Sequence, residues 1–151
     1  PRCPLAGDCR AHAMDQTHTY PQARPKQPRP LRQTRMLLIE FDRALLLEQR
    51  PATGIWAGLW SLPECPVDSD PAVWSADHYG VEAGETADWT PFRHSFSHYD
   101  LDVLPTLVRA ERLSARVLES GRPTRWQRAA ATRPGLPAPV RNLLNQWQQR
   151  G

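Results

Sequence analysis

A chain of 151 residues with 40% hydrophobic residues and six tryptophans has material for one modest core plus short appendages, which excludes a wholly disordered protein. It contains no run of about 18 apolar residues that could span a membrane, its opening PRCPLAGDCRAH lacks the apolar stretch of a secretory signal, and three cysteines make no even disulfide framework, which favours a reducing, cytoplasmic setting. The net charge of +3 argues for no particular partner, but its distribution is uneven. Residues 1–35 carry seven basic and two acidic groups, residues 64–102 one basic and nine acidic, and residues 103–151 nine basic and two acidic. Such segregation would turn the basic segments toward a polyanion and the acidic block away from it, unless it is an ordinary solvated surface.

Residues 1–12 form a tail bearing Cys3 and Cys9, and residues 13–33 a polar, proline-spaced linker (YPQARPKQPRP) in which helix is resisted and ladder donors are missing. Its cations, Arg24, Lys26, Arg29 and Arg32, either lie along a phosphate backbone or are simply solvated. A compact domain is expected over residues 34–150. Met36 to Phe41 and Ala44 to Leu47 are two apolar runs around Asp42 and Arg43, a hairpin pattern. A Gly/Trp-rich loop follows at 53–64, then a helix over 69–79 with Asp70 as N-cap, Pro71 in its first turn and Gly80 as its stop. Trp89 to Phe96 and Tyr99 to Val108 read as a second strand pair about a polar corner, with Pro105 marking a bulge or an edge. A short element begins at Trp126. Ala138 to Gln149 is an amphipathic helix whose Val140, Leu143, Leu144 and Trp147 share one face. The order predicts an α+β domain on a mixed sheet.

Gly58, Glu64 and the helix behind them carry a resemblance. They look like the start of the Nudix signature, G-x5-E-x7-R-E-U-x-E-E-x-G-U (U aliphatic), in which a cluster of Glu holds Mg2+. The remaining positions depart from it: Ala72 and Val73 stand at the Arg and Glu, Ala76 and Asp77 at the paired Glu, and Gly80 falls one place late. A hard divalent cation needs several convergent carboxylates, so the resemblance implies a Nudix-like α/β/α sandwich without Mg2+ at this helix, rather than an active nucleotide pyrophosphohydrolase. The head Cys3-Pro4-Leu5-Ala6-Gly7-Asp8-Cys9, the proline-rich connector, the loop GIWAGLWSLP at 54–63, the stretch FRHSFSH at 92–98 and the tail LPAPVRNLL at 136–144 are together similar to the C-terminal, MutT-like part of MutY-type adenine DNA glycosylases.

That resemblance implies a lesion-recognition domain that binds double-stranded DNA at 8-oxoguanine:adenine mispairs. The N-terminal catalytic domain of the same chain would excise the adenine, so the parent protein would be a glycosidic hydrolase, working as a monomer, and this stretch alone would be inactive. Cys3 and Cys9 would be the third and fourth ligands of a 4Fe-4S cluster whose other two lie upstream; by spacing alone they read equally as free surface thiols. Ser97 is assigned to 8-oxoguanine, Phe96 to packing or wedging beside the base, and His98 to the exocyclic amine of the syn base. Oxidation turns guanine N7 from acceptor into N–H donor and adds the acceptor O8, a pair that a hydroxyl can match. By residue type alone the same segment is a hairpin turn with Ser97 capping backbone and Phe96 in the core. Arg93 and His94 are candidate phosphate contacts or strand-face polar groups, and Lys26 and Arg29 candidate DNA contacts. Ser97 and His98 are not expected to form a hydrolytic dyad, since strand neighbours point to opposite faces. A protein-interaction module docking through the linker is the remaining alternative.

Overall fold

The structure, a computed structural model, describes residues 3–22, 28–114 and 121–150. The tail carries single-turn helical segments, with α1 at Arg10–Ala13, ahead of the domain. The domain is built on an eight-stranded mixed sheet: β1 (Leu31–Phe41), β2 (Ala44–Gln49), β3 (Trp60–Ser61), β4 (Glu64–Cys65), β5 (Val81–Asp88), β6 (Phe92–Ser95), β7 (Asp100–Leu113) and β8 (Thr124–Arg128). Helices α2 (Pro71–Tyr79) and α3 (Ala138–Arg150) complete it.

The β1–β2 hairpin closes on Asp42 and Arg43, both at positive φ, which matches the right-handed twist of the flanking strands. Beyond the turn the two strands diverge. β4 joins β1 at Arg35 and Met36, and β3 joins β2 at Glu48 and Gln49, so the Gly/Trp-rich loop fills the opening between them. β1 then runs parallel to β7 from Leu31↔Asp100 to Glu40↔Arg109, a long-range pairing that fastens the end of the linker into the sheet. β1 thus begins at Leu31, three residues before the expected domain start.

Alternation along β1 divides the core into two layers. Met36 and Leu38 join Leu45, Leu47, Val103, Leu107 and the α3 residues Val140, Leu143, Leu144 and Trp147 on one face. Leu37 and Ile39 join Leu46, Val81, Val108 and Tyr79 of α2 on the other. The expected α3 face is the buried one. Helix α2 is capped as expected: the Asp70 carboxylate accepts from the amides of Ala72 and Val73, and Gly80 ends it at φ 62°.

Two expectations need correction. Residues 81–88 form β5, which sequence reasoning left unassigned, paired antiparallel to the second half of β7. Pro105 does not mark an edge strand, because β7 is flanked by β1 on one side and by β5 and β6 on the other. It lies where that second side slips by one residue, between Asp88↔Thr106 and Phe92↔Val103, as the bulge alternative had it. The Pro105 carbonyl accepts from Trp89 N–H, and within a strand a residue's N and O face the same neighbour. Its missing N–H therefore falls in the gap where β5 ends at Asp88 and β6 begins at Phe92, and no ladder bond is lost.

Candidate functional site: the β6–β7 tip and the loop beside it

Strand β6 pairs with the start of β7 from Phe92↔Val103 to Ser95↔Asp100, and Phe96 N–H donates to Tyr99 O at 2.9 Å to close the hairpin. Ser97 and His98 form the exposed bend. The Ser97 hydroxyl caps no backbone group here; its Oγ lies 3.2 Å from Nδ1 of His98. The two side chains therefore meet, contrary to the strand-based expectation, because they occupy a bend and not the strand itself.

Beneath the bend lies a set of rings. Phe96 is half-buried, 4.7 Å from Tyr99, 4.7 Å from His94 and 5.4 Å from Trp56 between ring centroids. Trp56 also meets His94 at 5.7 Å and holds a left-handed backbone at φ 56°, unusual for a bulky residue. The GIWAGLWSLP loop and the FRHSFSH stretch, distant in sequence, are thus joined ring to ring. His94 thus packs against both loops.

Cations approach from the start of β1 and from just beyond the end of β2. The Arg32 guanidinium sits over the Tyr99 ring at 4.7 Å, Arg29 lies 3.7 Å from Asp100, and Arg50 lies over Trp56 at 5.6 Å. Arg50 and Trp56 were not singled out individually as site residues by sequence, whereas Arg32 was named among the cations that could follow a phosphate backbone. Arg93 is on the opposite strand face, bound through two nitrogens to Asp102 at 2.6 and 3.0 Å. The paired hydrogen bonds hold the Asp102 carboxyl below the usual carboxylate range and push the guanidinium up. Arg93 is thus ion-paired on the strand face, with its side chain about half exposed. Lys26 lies outside the described residues.

The acidic block of residues 64–102 does not form a separate face. Glu64, Glu85, Asp88, Asp100 and Asp102 pair with Arg50, Arg109, Arg35, Arg29 and Arg93, and the exposed tip lies inside this segment.

A cavity of about 210 Å³, which shares Arg50 with the ring cluster, is lined by Glu48, Arg50, Ser61, Glu64, Trp74, His78, Tyr79 and Arg122. Both its carboxylates are taken: Glu48 accepts from Tyr79 Oη at 2.5 Å and Arg122 at 2.8 Å, and Glu64 from Arg50 at 2.5 Å. Burial, reinforced by the bond to Glu48, pushes the Tyr79 phenol far above its ordinary value. Among the described residues no group of three or more His, Cys, Asp or Glu gathers as a metal site. Two ion-paired carboxylates with bound cations beside them do not fit Mg2+. Asp77 of α2 is exposed and does not line this cavity. Cys65 is buried, its thiol raised by desolvation against the opposing effect of Arg35, while Cys3 is exposed and Cys9, the C-cap of the Ala6–Asp8 turn, is half-buried.

Residues 34–146 match the model of the NUDIX domain. Among solved structures, the fold is similar to a MutT NUDIX hydrolase from Burkholderia pseudomallei (TM-score 0.60, 22% identity, 80% of this chain and 98% of that one). It is equally similar to the C-terminal domain of mouse MUTYH, solved in complex with human PCNA (TM-score 0.59, 15% identity, 78% and 88%). In sequence, the chain is 22% identical over 147 residues to an adenine DNA glycosylase of Buchnera aphidicola subsp. Acyrthosiphon pisum (strain APS), covering 97% of this chain and 42% of that protein. The chain therefore spans less than half the length of this curated relative, and through residues 34–146 it belongs to the NUDIX domain family, with the α+β sandwich of that fold.

Proposed function

We propose that this chain is the lesion-recognition part of an adenine DNA glycosylase, and that it reads 8-oxoguanine opposite adenine in double-stranded DNA through the Phe96–Ser97–His98 tip. The observation that carries the reading is an exposed bend presenting two polar side chains on a ring-packed base. Similarity to an adenine DNA glycosylase over nearly the whole chain supports it. The packed rings fix where the bend points, so that Ser97 and His98 need little ordering when they meet a base. Arg29 and Arg32, entering from the linker beside Tyr99, supply charge for the phosphate backbone without reading sequence.

The chemistry of adenine removal belongs to a domain outside this chain, and no catalytic residue is assigned here. Flipping a base out of the duplex is easier when its opposite partner is held. This domain provides that hold by gripping the oxidised guanine. The experiment is a comparison of duplexes that differ only by oxidation of one guanine opposite adenine, at one salt concentration. Tighter binding to the oxidised duplex supports the reading, and equal binding removes it.

Cys3 and Cys9 supply two of the four thiolates of a 4Fe-4S cluster in the intact protein, with the other two from residues outside this chain. Replacing either by Ala in the intact protein is expected to lower iron content and the cluster's visible absorption. An unchanged spectrum and four irons per protein would refute the assignment.

A further inference from the structure

The register Glu48↔Ser61 sets these two side chains on one face of the sheet, and Tyr79 of α2 reaches Glu48 from above that face. The cavity of about 210 Å³ lies between them, walled on the helix side by Trp74, His78 and Tyr79. Two polar atoms of its lining residues have no partner among the described residues, Ser61 Oγ and Trp74 Nε1. Ser61 is only 1% exposed. A buried hydrogen-bonding group without a partner is costly and uncommon. Both atoms can donate, and the indole nitrogen can do nothing else. Together they call for an acceptor with two lone pairs, which describes a carbonyl oxygen.

Charge narrows the choice. Arg50 is paired with Glu64 and Arg122 with Glu48, so the charged groups of the wall cancel one for one. An anion would meet two carboxylates there and a cation two guanidinium groups, with no surplus charge to offset the lost hydration of either. An uncharged occupant avoids that cost. The wall also accepts. His78 Nδ1 lies 3.1 Å from Trp74 O, and a carbonyl only accepts, so Nδ1 carries the hydrogen and Nε2 of the neutral ring is an acceptor. Glu64 bonds Arg50 through Oε1, which leaves Oε2 to accept. The helix side offers rings, Trp74 and His78 being stacked at 3.8 Å. Sites for drug-sized molecules run to about 300–1,000 Å³, so this smaller cavity suits one small ring.

We propose that the cavity binds a small, flat, uncharged heterocycle with a lactam edge, a ring carbonyl next to a ring N–H. The carbonyl accepts from Ser61 Oγ and Trp74 Nε1, and the ring N–H donates to Glu64 or His78. The site does not rest on the lesion-reading role proposed above.

The test follows the Trp74 indole N–H in proton–nitrogen correlation spectra of the whole chain, where Trp74→Phe identifies the resonance by its loss. The probe is 2-pyridone, a single ring that carries the lactam edge and nothing else. It is expected to move this resonance saturably, with a dissociation constant of about a millimolar or tighter. The N-methylated probe, 1-methyl-2-pyridone, keeps the carbonyl but lacks the N–H and should bind several-fold more weakly. Ser61→Ala should weaken binding of 2-pyridone by about three- to tenfold, as expected for one neutral hydrogen bond. Inorganic phosphate should leave the resonance where it is. No saturable shift with 2-pyridone would overturn the proposal, as would equal binding of its N-methyl form or of Ser61→Ala. A saturable shift with phosphate would also overturn it and mark an anion site instead. Should Ser61→Ala fail to fold, the two pyridones decide the matter on the wild-type chain.

Discussion

Replacing Ser97 by Ala is expected to lower the preference for an 8-oxoguanine:adenine duplex over a guanine:adenine duplex by about tenfold or more. A well-made contact to a base edge is worth about 1–3 kcal/mol of discrimination, and about 1.4 kcal/mol corresponds to a factor of ten. The loss should come from weaker binding of the oxidised duplex, with affinity for the unoxidised one little changed. Ser97 is exposed and its hydroxyl meets the His98 ring, so stability should hold. A ratio of affinities unchanged from wild type would show that the hydroxyl does not read the base.

Leu38→Ala tests the scaffold. Leu38 is fully buried in β1, between the hairpin partner β2 and the parallel neighbour β7, and faces the layer closed by α3. Truncation removes buried methyl groups and leaves a cavity that a central strand cannot collapse into, at a cost of about 2–5 kcal/mol. Against a total of about 5–15 kcal/mol for an ordinary domain, that is a large fraction. Urea denaturation should show a midpoint shift of this size with the slope preserved. A loss under about 1 kcal/mol would mean that the two-layer core described here is wrong at its centre.

The local elements were legible in sequence because their signals are local. Two apolar runs split by Asp42 and Arg43 made the β1–β2 hairpin readable, and Asp70, Pro71 and Gly80 bounded α2. The spacing of Val140, Leu143, Leu144 and Trp147 gave the buried face of α3. Strand β5 was not legible. Its sequence, VEAGETAD, is polar and largely exposed, and it is a strand because β7 offers it a long ladder. The parallel pairing of β1 with β7 joins residues about seventy positions apart, and no local pattern announces it. It explains why Pro105, an edge signal by composition, sits in the interior.

The candidate tip was found through motif resemblance, yet its surroundings were not. Nothing near Trp56 in sequence says that its ring meets Phe96 and His94, and nothing near Arg32 says that it covers Tyr99. Both follow from tertiary placement. Charge was the least transferable signal: the acidic block seemed separable in sequence, but the fold threads cations through it. Of the signature positions, Glu64 lines a cavity, where it is paired with Arg50.

The most direct measurement is equilibrium binding of this chain to two duplexes identical except for O8 and the hydrogen on N7 of one guanine opposite adenine. Both titrations must be run at the same low salt, since phosphate contacts make absolute affinities fall steeply as salt rises. The account predicts a dissociation constant at least about tenfold lower for the oxidised duplex, and near parity once Ser97 is Ala. Equal affinities of the wild-type chain for the two duplexes, at measurable binding, would contradict it.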